Sequence, residues 1–455
     1  MTATTDTSTP VHVPLVREPW GILKSLSVAR RNILEIIPEI ATKQPIVSGR
    51  TGKRWHMVMD PEALKHILKD RLQDYPKSDV TKNILRPAIG DSLFVAEGPH
   101  WHWQRRAAAP VFAPRNIDAL APVMSAAAEA LVGRLSSHTS HNVNVFDEMV
   151  TTTFDVISDV TFSTGDAFSK QDVHHAINAY LASAAKISLL DIVGVPTWVP
   201  RPARMFGSKS MRQMKSMAGH TIEARRSSGP REVPDLLDLL LEGQDPETKR
   251  CMNTAELRDN LLTFIVAGHE TTSLALSWAL YLVALDQGVQ DRLRSETHDV
   301  LQGRTASAKD VERLIYTRQV VEEALRLYPP AAFMSRTALK PDTLCGREIR
   351  VGDTVMLPIY ALHRNALLWQ HPDAFDPDRF APGHKIDRFA YLPFGDGPRI
   401  CIGARFAMTE AVIVLASVVS KLKFSLIAGQ TPKPVMVLTL RPADGIHLRV
   451  ERIRE

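Results

Sequence analysis

The stretch from Leu257 to Gly288, LRDNLLTFIVAGHETTSLALSWALYLVALDQG, limits the folds open to this chain more than any other, and Asn253 with Glu256 supplies a capping pair in front of it. At about 1.5 Å per residue the helix it predicts is on the order of 50 Å long, enough to cross a whole domain. Its apolar residues fall on nearly every face, which places it inside a body of other helices. Within it, AGHETT (Ala267 to Thr272) breaks local rules. A mid-helix glycine costs about 1 kcal/mol relative to alanine, and threonine hydroxyls compete for backbone carbonyls. Glu270 beside Thr271 offers an acid and an alcohol for moving protons in a water-poor pocket, with Ala267 and Gly268 leaving space there. A salt-bridged glutamate and back-bonded threonines in a kinked helix fit these six residues equally well.

A second stretch, FGDGPRICIG from Phe394 to Gly403, surrounds Cys401 with glycines and a proline, the composition of a tight loop that aims one sulfur in a fixed direction. Arg399 adds a positive charge that favours the thiolate and is available to an anionic group on whatever the sulfur binds. These residues match F-x-x-G-x-R-x-C-x-G at each specified position and resemble the haem-binding loop of the cytochrome P-450 superfamily. The resemblance implies that Cys401 is the axial iron ligand, with Phe394, Arg399 and Gly403 in the cofactor-binding loop. AGHETT is similar to the same family's oxygen-handling signature, which tips the reading of Thr271 and Glu270 towards catalysis. Trp101 and Arg105, four apart on one helical face, resemble its propionate-binding W-x-x-x-R, and Arg336 is implied as a second propionate partner. Glu323 and Arg326, joined by Arg379 of FDPDRF, resemble its E-x-x-R core network and are read as structural. The motifs span Trp101 to Gly403 in the family's order.

The implied fold is mainly α: a triangular helical haem domain with a minor β-sheet region. Residues 1–455 are read as one domain behind an irregular N-terminal arm over residues 1–20. In detail, Gly21 to Ile40 reads as helical, Pro45 to Met59 as a hairpin marked by Gly49 and Gly52, and the run after Asp60 and Pro61 as a helix. Asp79 to Ala96 reads as a loop, and Ile192 to Pro202 as the break in a lid. Strand-like runs follow at Glu348 to Pro358 and Val435 to Leu438.

Three scattered cysteines, Cys251, Cys345 and Cys401, suit neither a disulfide framework nor a zinc site and point to a reducing cytoplasm. No run reaches the roughly 18 apolar residues of a spanning helix. The formal charge of +5 comes without the dense Lys/Arg runs of a nucleic-acid binder. An acidic protein partner suits it better, and Arg105, Arg106 and Arg405 are the expected docking face for a ferredoxin-type or flavodoxin-type electron donor. Ile84, Phe94, Phe264, Phe333, Met334 and Met436 are the expected apolar pocket. The resemblance thus implies a monomeric haem-thiolate monooxygenase holding haem b. It would insert one atom of O2 into a lipophilic small molecule, with NAD(P)H feeding it through separate redox partners. A peroxide-driven hydroxylase on the same fold and a haem sensor or carrier are the alternatives.

Overall fold

A computed structural model describes residues 9–18, 20–137, 142–162, 208–436 and 438–453. The long apolar stretch is a single helix, Thr254–Leu285, of 32 residues. Its start is the expected capping box: Asn253 Oδ1 accepts from the Glu256 amide at 2.9 Å, and Glu256 Oε2 accepts from the Asn253 amide at 3.0 Å. It ends at Leu285, short of Gly288, because Asp286 turns out of helical geometry. The Asp286 carboxylate then caps the next helix, Gln287–Leu301, at the Val289 amide, 3.0 Å away. Helices Val145–Phe162, Ser208–Ser228, Ile315–Leu327 and Ala404–Val419 pack around it, so nearly every residue from Thr272 to Ala284 is buried.

One ion pair inside this helical body is closed on itself. Glu323 and Arg326 on helix Ile315–Leu327 are both 0% exposed and pair through both carboxylate oxygens at 2.6 and 2.7 Å. The remaining Arg326 protons go to the carbonyls of His363, Pro372 and Ala374. Arg379 joins at 3.4 Å from Glu323 and donates to the His371 carbonyl. A buried ion pair is tolerable only with its remaining hydrogen bonds filled, as here.

Beside the helices lies a four-stranded sheet in the order Ile46–Thr51, Lys53–Val58, Thr354–Leu357, Met334–Thr337. Gly52, at φ 75°, makes the hairpin turn. Gly49 instead lies in a strand beneath the Trp55 ring, where a Cβ would come within 2.2 Å of Cζ2. The edge strand carries Arg336 and bridges to Lys77 through the pair Lys77↔Arg336, which fixes two distant cations side by side. A C-terminal hairpin, Pro434–Met436 with Leu440–Pro442, lies against the long helix, where Trp278 Nε1 donates to the Leu440 carbonyl at 3.3 Å.

Two local expectations change. Asp79 to Ala96 is not all loop: Ser78 caps a helix over Asp79–Ile89 that accommodates Pro87 inside it. Gly21 to Ile40 is a short helix, Ile22–Ala29, and then 3-10 turns, because the Asn32 side chain caps a new start at Leu34 and Pro38 interrupts again. The described part of the N-terminal arm is irregular but anchored: Tyr328 donates to the Val11 carbonyl, and the Tyr281 and Tyr360 hydroxyls accept from Val11 and Val13. The lid expected at Ile192 to Pro202 lies outside the described residues. Among the described residues no helix is long and apolar enough to cross a membrane.

Candidate active site

The cysteine loop is held by its backbone. The Cys401 amide donates to the Phe394 carbonyl at 2.9 Å, and Gly395 and Gly397 sit at φ 68° and 72°. Only glycine fits at position 397, where a Cβ would lie 2.3 Å from the Leu68 carbonyl oxygen. Asp396 braces the turn from its own side chain, accepting from the Gly397 amide and pairing with Arg388. Cys401 is exposed, yet desolvation pushes its thiol pKa up, with the Gly403 amide and Arg105 pulling it down. The residue is thus exposed while protein atoms around it desolvate its thiol.

One ring pair links this loop to the long helix. A Cβ on Gly403 would lie 4.0 Å from the Phe112 ring, which meets Phe264 edge-on at 5.2 Å. Just beyond Phe264, Ala267 is exposed and Val266, Gly268 and Thr271 are half-buried, a break in an otherwise buried helix. The Thr271 hydroxyl donates to the Ala267 carbonyl at 2.7 Å. Glu270 is 5% exposed and turns to the C-terminal hairpin, where Thr439 Oγ1 and Arg441 both donate to its Oε1. The absent side chain of Gly268 lets Ile157 of the neighbouring helix pack close, with Cδ1 3.3 Å from where a Cβ would be. Thr153 of that helix donates to the His269 carbonyl at 2.9 Å and ties the two helices at the same turn.

Lys77, Arg336 and Arg399 form the most telling group. Arg336 is 5% exposed, its Nε finds no hydrogen-bond partner among the described residues, and burial pushes its pKa down to about 10. Burial also holds Lys77 well below the ordinary lysine range, with Arg399 and Arg336 adding repulsion. Arg399 lies over the Trp101 ring at 4.3 Å and pairs with Glu97, and its Nη1 is likewise without a partner among the described residues. Among the described residues Glu97 is the carboxylate that offsets these cations, so three basic side chains face one acid there. A buried surplus of positive charge with idle donors calls for an anion, and the two propionates of a haem would fit it. The donor set therefore fits the cofactor at both ends: a desolvated sulfur for the iron and a cationic cradle for the carboxylates.

The cytochrome P450 family profile matches residues 14–450. The chain belongs to the cytochrome P450 family. It is 31% identical over 419 residues to cyclooctatin synthase of Streptomyces melanosporofaciens, covering 90% of each chain. It is 32% identical over 415 residues to putative cytochrome P450 132 of Mycobacterium tuberculosis, covering 87% of this chain and 88% of the other. The crystal structure of the cytochrome P450DA heme domain superposes with a TM-score of 0.79 at 28% identity, covering 95% and 93% of the two chains. The protein is accordingly a cytochrome P450 monooxygenase of mainly α fold, a class that works with haem and O2.

Other expected site residues in this P450 differ in exposure. Phe94 is 41% exposed with Lys77 Nζ 4.3 Å above its ring, and Ile84, Phe333 and Met334 are half-buried. Phe264 is buried against Phe112, and Met436 is buried in the hairpin with its amide bound by Asn32. Arg399 turns to Trp101 and Glu97, and it is Arg105, itself desolvated, whose charge acts on the sulfur. The docking face shrinks in the same way. Arg105 points inward, Arg106 is consumed by Asp245 at 2.7 and 2.9 Å, and Arg405 alone of the three is exposed. Lys77, Glu97, Thr439 and Arg441 were not expected at all, for no local pattern marks them.

Proposed function

We propose that Cys401 holds the haem iron, that Arg336, Arg399 and Lys77 hold its propionates with Trp101 stacked behind Arg399, and that the enzyme oxidises lipophilic small molecules. The haem, when bound, supplies activation of O2. The chain's own residues set the conditions. Desolvation raises the Cys401 thiol pKa, and the Gly403 amide and Arg105 partly offset it in favour of the thiolate. Thr271 presents a hydroxyl beside exposed Ala267 in the middle of the long helix, and Glu270, its neighbour, is the proton source for it. Electrons come from a separate ferredoxin-type or flavodoxin-type donor charged by NAD(P)H in the cytoplasm, and the protein works as a single-domain monomer.

The observation that carries this reading is the pairing of a desolvated thiol on an exposed residue with a cationic cluster short of negative charge. It is tested by reducing the purified holoprotein under carbon monoxide, where a Soret band of thiolate ligation is expected and Cys401→Ser removes it. An imidazole-type band overturns it. With a surrogate donor, products from a panel of terpenoid alcohols, fatty acids and aromatic hydrocarbons define the substrate class. Thr271→Ala is expected to keep the spectrum and divert reducing equivalents to peroxide; unchanged coupling removes that role from Thr271.

A further inference from the structure

Phe94 stands out of a turn whose other residues are packed away. Ser92, Leu93, Val95 and Ala96 are all buried, whereas Phe94 is 41% exposed. The Ser92 carbonyl closes the turn, accepting from the Val95 and Ala96 amides at 2.9 and 2.8 Å. Lys77 lies over the Phe94 ring at 4.3 Å and donates to the Phe94 carbonyl, so the ring stands at the rim of the cationic cradle. Two amides tie this turn down, Asn260 on the long helix and Gln104 on helix Gly98–Ala108, both 0% exposed. Asn260 Oδ1 accepts from the Leu93 amide at 2.9 Å. Gln104 Nε2 donates to the Asp91 carbonyl at 2.9 Å, and its second proton faces His100 Nε2 at 2.8 Å. The two side chains also meet each other: Asn260 Nδ2 donates to Gln104 Oε1 at 2.8 Å and to the Glu256 carbonyl at 2.9 Å. Neither amide can flip or slide without breaking a bond to the turn. By helical spacing Asn260 shares the face of exposed Ala267, two turns on and about 10 Å along the axis.

We propose that Asn260 and Gln104 are positioning residues for substrate selection. Together they form an uncharged clamp that fixes the Asp91–Leu93 segment on the long helix and, through it, the place of the Phe94 ring, which limits the size of molecule admitted beside Ala267. Neither amide touches substrate or cofactor. An apolar pair of the same size would pack as well, but it would hold neither the Leu93 amide nor the Asp91 carbonyl and would leave the turn free to shift. This role rests on the monooxygenase reading of the same site.

The test uses haem-loaded wild type, Asn260→Leu, Phe94→Ala and the double variant, with imidazole and phenylimidazole as iron-binding probes whose Kd is read from the Soret shift. Only the second probe carries a ring for Phe94 to meet. Asn260→Leu is expected to change the Kd of phenylimidazole about 10-fold and that of imidazole by less than about 2-fold. In the Phe94→Ala background the same substitution is expected to change neither, because its effect runs through the ring. Gln104→Met, which cuts the clamp from the other helix, is expected to repeat the pattern. Hydrogen exchange at the Leu93 amide quickens about 10-fold in Asn260→Leu, a readout that needs neither probe nor turnover. Wild-type phenylimidazole affinity in both clamp variants, equal shifts for the two probes, or a full effect that persists without Phe94 overturns the proposal. A wild-type protein without the thiolate Soret band overturns the monooxygenase reading and this role with it, while exchange at Leu93 would still report the clamp; the two failures are thereby told apart.

Discussion

Arg326 and Arg336 are both buried arginines close together in sequence, and they sit in opposite surroundings. Arg326 meets both oxygens of Glu323 and the carbonyls of His363, Pro372 and Ala374, leaving no charge unanswered. Arg336 is packed beside Lys77 and Arg399 with Glu97 as their shared counter-charge, and it keeps an idle Nε. Burial alone does not separate scaffold from site. Completion does: a closed network has finished its work when the chain folds, whereas an open one is strained until something anionic arrives.

The largest expected effect tests the closed side. Glu323→Gln leaves Arg326 buried without its counter-charge, which costs about 3–5 kcal/mol, a large part of the stability of an ordinary domain. Denaturant unfolding of the haem-free protein measures it, and a wild-type midpoint would break the comparison by showing that Arg326 does not need its partner.

The open side is expected to respond with the opposite sign. Arg336→Met removes an unanswered buried charge, so the haem-free protein gains about 1 kcal/mol while the holoprotein loses haem faster. The pH dependence follows the same logic. Arg336 and Lys77 have folded-state pKa values below their ordinary ones, so the stability of the haem-free protein is greatest at high pH and is lost as pH falls through those folded values. Haem release to an apoglobin acceptor and haem-free unfolding, measured on the same variant, give the two signs. If both fall together, Arg336 belongs to the scaffold.

Sequence legibility follows the same division. Glu323 with Arg326, Asn253 with Glu256, and the Cys401 loop are readable because each works over a few residues of spacing. AGHETT announces itself by breaking helix rules, but what Gly268 does is decided by Ile157 on another helix, and what Glu270 touches is decided by Thr439 and Arg441 near the end of the chain. Lys77 looks like any surface lysine until the strand bridge to Arg336 carries it inside. The helix Asp79–Ile89 is hidden by Pro87 although its apolar residues keep to one face, and at Phe264 and Met436 size and apolarity alone do not tell a lining side chain from a packed one.

Glu410 sharpens the comparison from a third direction. It is buried on helix Ala404–Val419, just past the cysteine loop, and its Oε1 has no hydrogen-bond partner among the described residues. Desolvation alone raises its pKa well above the ordinary carboxylate value. A buried acid without a cation thus solves the problem that Glu323 solves by pairing: it goes neutral. Because the folded-state pKa is raised, the stability it permits is complete below the unfolded pKa, near 4.3, and is lost as pH rises towards the folded value. The slope is bounded at about 1.4 kcal/mol per pH unit and falls short of it where water relaxes the charged form. Glu410→Gln keeps the shape of the neutral acid without its proton, so the variant is expected to match wild type near pH 5 and to exceed it by about 1 kcal/mol at pH 8. Parallel denaturant curves at the two pH values would mean that Glu410 is charged and answered in the fold, and it would then stand with Arg326 rather than apart from it.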